Sequence, residues 1–156
     1  MAREIDSFLG FSASVPEGSF VVPESSAGTG SEQISLPGDI LFSMVRDDDT
    51  VRDYAQTVEW TQKLASFYAD HFNGEIRTEG RLDGEGKESY AVAVKFSDEI
   101  GVLRIAALVG IRFSAGAFFG LTLVWPVTDP AQEPDVALVK RIVDGITLSP
   151  SAAGDN

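Results

Sequence analysis

The sequence predicts an α+β domain: an antiparallel β-sheet of about 6–7 strands, flanked by one long helix and a C-terminal helix. Three observations predict it. Residues 51–72 carry apolar side chains at helical spacing. Residues 90–127 hold three apolar runs separated by loops of hairpin length. Residues 134–146 return to the helical period just after a proline.

Taken in chain order, the opening FLGFSASVPEGSFVV reads as two short strands joined by a turn at Pro16-Glu17-Gly18, where proline presets φ and glycine accepts a positive one. Residues 23–33, PESSAGTGSEQ, read as a polar loop of small residues. A turn at Pro37-Gly38 precedes a strand at 40–45. Asp49 or Thr50 is the expected N-cap of the long helix, because its side-chain oxygen accepts an orphan backbone N–H. The helical stripe runs Val51, Tyr54, Ala55, Val58, Thr61, Leu64, Ala65, Tyr68, Phe72, and Asn73-Gly74 ends it. A short polar strand at 75–79 and a Gly-rich turn at 83–86 follow. Strands at 90–97, 102–113 and 117–127 then form a meander that is apolar at nearly every position of its last two strands. Such strands are covered on both faces or expose one to a partner. In the last helix, Pro134 suits the first turn, and Val136, Val139, Val143 and Ile146 form the buried stripe. The expected organisation is one domain over 1–148 with a small-residue tail at 149–156 that frays.

Composition excludes whole classes of chemistry. With no cysteine there is no disulfide, thiol nucleophile or Cys-ligated metal. Against 12 Lys and Arg stand 24 Asp and Glu, a net charge of −12 that repels nucleic-acid phosphates and anionic lipid headgroups. No apolar run is long enough for a membrane span and no signal-peptide pattern opens the chain, so the expected location is the cytoplasm. The single histidine, His71, ends the long helix, where the helix dipole favours its cationic form. No nucleophile-elbow motif accompanies it. Asp47-Asp48-Asp49 lacks the spacing, glycine and distal glutamate of a calcium loop and reads as a solvated turn. Gly84-Glu85-Gly86-Lys87-Glu88 fails the phosphate-loop pattern, with Arg81 where its first glycine belongs, and reads as a turn. The expectation is therefore no catalytic residue, no metal and no cofactor.

Gly10-Phe11 through Pro16-Glu17-Gly18, the hairpin ending near Trp125-Pro126, and the helix running into Ile142-Val143-Asp144-Gly145-Ile146 together resemble the Mog1/PsbP-like superfamily. That group includes PsbP, Ran-binding Mog1 proteins, actinobacterial secreted lipoproteins and adaptor chaperones of type VI secretion. The resemblance covers nearly the whole chain through element order and a loose pattern. One departure is Phe20, where a tryptophan commonly follows the family's opening turn. The resemblance implies an antiparallel sheet with helices on its faces and a role in binding proteins or assisting assembly.

The function expected is accordingly a non-catalytic protein-binding, adaptor or chaperone domain that buries a partner's hydrophobic or basic segment on the meander. Arg104 and Arg112 share a strand face with Ala106, Leu108 and Gly110 between them, two cations flanking an apolar strip. Trp60 and Phe67 fall off the main helical stripe and are candidate partner anchors. Phe118 and Phe119 point to opposite sheet faces, so one of them is a candidate contact. The alternative expectation is a carrier of a small apolar ligand or lipid, with its pocket between the sheet and the long helix. A hydrolase built on carboxylates alone, from Asp47–Asp49 and Glu85/Glu88, is a third.

Overall fold

A computed structural model describes residues 2–22 and 30–149. The chain runs β1 (Ala2–Asp6), β2 (Phe11–Pro16), β3 (Phe20–Val21), β4 (Ser31–Leu36), β5 (Ile40–Arg46), α1 (Tyr54–His71), β6 (Glu75–Arg81), β7 (Lys87–Ser97), β8 (Leu103–Phe113), β9 (Phe118–Pro126), α2 (Val136–Asp144) and β10 (Ile146–Leu148). Seven strands form one antiparallel sheet in the order β3-β4-β5-β9-β8-β7-β6, and β1-β2-β10 form a second, three-stranded one. The architecture is α+β as expected, with two sheets in place of one. The two opening strands exist and the turn at Pro16-Glu17-Gly18 joins them, handing the chain from the small sheet to the large one. Residues 23–29 of the expected loop and 150–156 of the expected tail lie outside the described residues.

Alternation along β8 explains why its sequence is apolar throughout. Ile105, Ala107, Val109 and Ile111 pack with β2 and α2 residues such as Phe11, Ala13, Val139 and Val143 in one core. Ala106 and Leu108 pack with Val92, Val94 and Ala65 of α1 in another. Strand β8 is thus covered on both faces, which overturns the expectation that its strip between Arg104 and Arg112 receives a partner. An aromatic cluster ties the sheets together, with Phe11 5.5 Å from Phe119 edge-on and 6.1 Å from Phe42. Fully burying a phenylalanine such as Phe11 stabilises by about 1.5–3 kcal/mol.

Helix α1 starts later than expected. Asp53, not Asp49 or Thr50, is the N-cap, its carboxylate accepting the Gln56 N–H at 2.8 Å, and Gln56 accepts the Arg52 N–H at 2.7 Å. Its buried line is Thr57, Thr61 and Ala65, rotated from the stripe read in the sequence. The cause lies in the sheet. Gly110 and Gly120 are cross-strand partners on β8 and β9. A Cβ on Gly110 would come within 2.5 Å of the Thr61 hydroxyl, and one on Gly120 would overlap the Trp60 ring. Small residues on both sides let helix and sheet touch. Gly120→Val should therefore cost about 2–3 kcal/mol or more by overpacking, read from urea denaturation, whereas an unchanged midpoint would show that α1 can lift freely.

Candidate interaction surface

Helix α1 lies over β7 and β8, reaching β9 through Trp60, which meets Phe118 edge-on at 5.1 Å. Trp60 is thus a packing residue half-buried against the sheet rather than a free anchor. Leu108, Phe118 and Phe119 are fully buried and present no surface to a partner. The two candidate arginines are already occupied: Arg104 donates to Asp98 at 2.6 Å, and Arg112 lies 3.6 Å from Glu88. The strip between them is roofed by α1. Of the seven residues singled out, Phe67 alone stays largely exposed, at 57%, stacked on His71 with centroids 5.3 Å apart.

The same geometry uncovers a surface that the sequence did not reveal. Register places Phe20, Ser35, Leu41, Val124, Ala106, Val94 and Ile76 in one row across the sheet, on the α1 side. Ala106 and Val94 are buried beneath the helix, and Val124 packs at its flank. Beyond Val124 the row emerges: Leu41 is 38% and Phe20 54% exposed. Phe67 lies on the same flank of α1 as Trp60, seven residues or two turns on. At roughly 4.8 Å per strand the open part spans roughly 14 Å, about the length of ten helical residues. The signal available in the sequence was period-two alternation in β5, where Leu41 opposes the buried phase of Phe42 and Met44.

Charged groups outside this row serve the fold. Asp48, from the acidic triplet, accepts the Phe118 N–H at 2.9 Å and is paired with Arg46, clasping β5 to the start of β9. Burial pushes its carboxyl upward, but hydrogen bonds from Arg46 and the Phe118 amide outweigh that and hold it below the usual value. A general acid needs the opposite shift, so Asp48 is not poised for that role. Lys87, read in the sequence as part of a turn, is 6% exposed, and its ammonium donates to the Val143 carbonyl at 2.6 Å and to that of Ile146. It thereby ties β7 to the Val143 carbonyl at the end of α2 and to the Ile146 carbonyl that opens β10, with burial lowering its pKa. Ser89 Oγ, on the next inward position of β7, is buried without a hydrogen bond. Among the described residues, no group of three or more His, Asp or Glu side chains gathers as metal ligands do, and no helix is long and apolar enough to cross a membrane.

Recesses lie away from the place expected for a ligand pocket. One of about 130 Å³ is floored by Gly80, Ala91, Ala93 and Ala107 beside α2, and another of about 340 Å³ lies between β2 and α2. Both are on the side of the large sheet opposite α1.

No family model matches the sequence, and no curated protein matches it. Solved structures do. The Ran-binding protein Mog1p of Saccharomyces cerevisiae superposes with a TM-score of 0.66 at 11% identity, over 97% of this chain and 98% of its own. A point mutant of Mog1 gives 0.60 at 11% identity over the same shares. The cyanobacterial PsbP (CyanoP) of Synechocystis gives 0.62 at 11% identity, over 94% and 92%. The fold is Mog1/PsbP-like. Within that Mog1/PsbP-like frame, Asp48 and Lys87 are structural parts with measurable roles.

Asp48 has its carboxyl pKa depressed in the folded state, so its contribution is present at neutral pH and is lost as pH falls below about 4. Chemical denaturation across pH should show the wild type more stable than Asp48→Asn near neutrality, with the gap closing in acid. A gap independent of pH would contradict the clasp. Lys87→Met should cost about 2 kcal/mol at neutral pH by removing a charged donor shared by the Val143 and Ile146 carbonyls, measured as a loss of urea stability, and no loss would show that those carbonyls are satisfied otherwise.

Proposed function

We propose that the domain is a non-catalytic protein-binding adaptor that receives an apolar partner segment on the open row from Val124 through Leu41 to Phe20, with Phe67 on the bank above. The observation that carries this reading is the row itself, which leaves the core beneath α1 and continues uncovered across β5 and β3. Exposed apolar residues in register, with neutral Ser35 between Phe20 and Leu41 and Ser43 beside Leu41, form a surface of the kind that proteins use for partners. The partner segment best suited is amphipathic with basic flanks, since a chain of net charge −12 attracts cations and steers them on approach. A precedent on this scaffold is the Saccharomyces protein, described as Ran-binding. The carrier reading has less support, because Trp60, Thr57 and Thr61 occupy the space between sheet and helix where its pocket was expected.

A photo-crosslinking residue placed at Leu41 or Phe20 in cells should capture one dominant protein, while the same residue at Ile100, an exposed apolar hairpin tip, captures none preferentially. Phe20→Asp with Leu41→Asp should then weaken the purified pair by about tenfold or more with the melting temperature unchanged. Equal capture from Ile100, or undiminished affinity in the double variant, would refute the surface.

A further inference from the structure

At the opposite edge of the large sheet from β3 lies β6, which pairs with β7 on one side only. The Leu82 N–H donates to the Ser89 carbonyl at 2.8 Å, which sets the phase of the edge. Leu82 and Gly80 turn their main-chain groups toward β7, so Glu79 and Arg81 turn theirs outward. Among the described residues, no strand pairs with β6 on that outer side. We propose that this edge is a self-complementary interface through which two copies of the chain pair antiparallel about Gly80.

Register supports this occupant over others. With Gly80 opposite Gly80, Glu79 stands opposite the second copy's Arg81, Thr78 opposite its Leu82, and Arg77 opposite its Asp83. Within the regular stretch both charges thus meet their opposites, Glu79 against Arg81, and the two-fold axis repeats that pair. The Glu79 and Arg81 positions are also those whose main-chain groups point outward, so the charge match and the hydrogen-bond match fall on one register. A bulge between Ile76 and Thr78 interrupts the strand before this stretch, leaving 78–82 as the regular segment.

Net charge makes the edge the natural meeting place of two copies. Residues 77–83 carry two arginines, one glutamate and one aspartate, which cancel, on a chain whose total is −12. Two copies repel across most orientations and are relieved of that repulsion here. The arginines and carboxylates have partners within the chain, Arg81 with Asp83 and Glu88, Arg77 with Glu75 and Glu133, and Glu79 with Tyr90 and Gln62. Arg81 and its partners are solvent-exposed pairs, which contribute little and can be exchanged across an interface. Sterically, a Cβ on Gly80 would meet no heavy atom within 4 Å. Gly80 also borders the small-residue recess, and the second copy's Leu82, set opposite Thr78, would stand at that recess and cover it.

Sedimentation equilibrium of the full chain from about 1 μM to about 1 mM tests the proposal. The expected result is a monomer–dimer equilibrium within that range. Arg81→Glu or Glu79→Arg alone should weaken dimerisation by about tenfold or more, since each places like charges opposite one another twice. Glu79→Arg combined with Arg81→Glu should restore the homodimer, and the swapped chain should not pair with the wild type. Should a single variant fail to fold, as judged by circular dichroism, the double swap decides. A wild type that stays monomeric throughout, a dimer indifferent to the single reversals, or a folded double swap that stays monomeric would each overturn the pairing.

Discussion

The arrangement depends on the contact between α1 and the paired glycines Gly110 and Gly120. These two lie opposite each other on β8 and β9, and together they open a shallow channel in the sheet surface. Thr57 and Thr61 enter over the first and the Trp60 ring over the second. No side chain on either glycine is compatible with that approach. The helix is thereby held over β7 and β8, with its flank on β9, and cannot also cover β5, β4 and β3. The uncovered row from Val124 to Phe20 follows from where the helix is seated.

On the reverse face a different device closes the core. The small sheet and α2 together cover β8, β9 and β5, and Phe11 inserts between Phe42 and Phe119 to join the layers. Helix α2 is short, and its last-turn carbonyls are met by the Gly145 N–H of its own C-cap, with Lys87 adding a donor to Val143. Lys87 reaches it from the start of β7, so the turn 84–87 and the last helix are fastened by one ammonium. Burying that cation is unfavourable in itself, but two carbonyl acceptors and the negative end of the helix dipole offset the loss of water.

Periodicity made much of this legible in the sequence. The long helix, the meander and the last helix are readable because their apolar spacing is unambiguous, whereas the doubly apolar strands leave open whether the chain itself or a partner covers the second face. Which neighbours was not readable. Trp60 lay off the apolar stripe, and only the glycines beneath it explain how a bulky ring fits there. Gly120 lies 60 residues from Trp60, and Gly110 lies 49 and 53 from Thr61 and Thr57, so no local pattern links them. Asp53 was passed over as the cap in favour of Asp49 and Thr50 because several acceptors precede the helix and only Gln56 distinguishes among them. Lys87 looked like a turn residue because its partners lie nearly sixty positions away. The strand at 2–6 was missed because it is short and largely exposed, and its sheet is completed by the chain's last strand.

Strand order gives the two surfaces their relation. β3, which ends the open row, and β6, which carries the balanced charges, are the outermost strands of the same seven-stranded sheet. A partner seated on Phe20 and Leu41 would occupy a face, whereas pairing through β6 uses an edge, so neither excludes the other. Antiparallel pairing about Gly80 would place the two open rows at the far ends of one continuous sheet, each on its own copy. A segment binding only one row would gain nothing from that, but a partner presenting two such segments would be held at both ends, and its apparent affinity would then rise by the effective concentration of the second site.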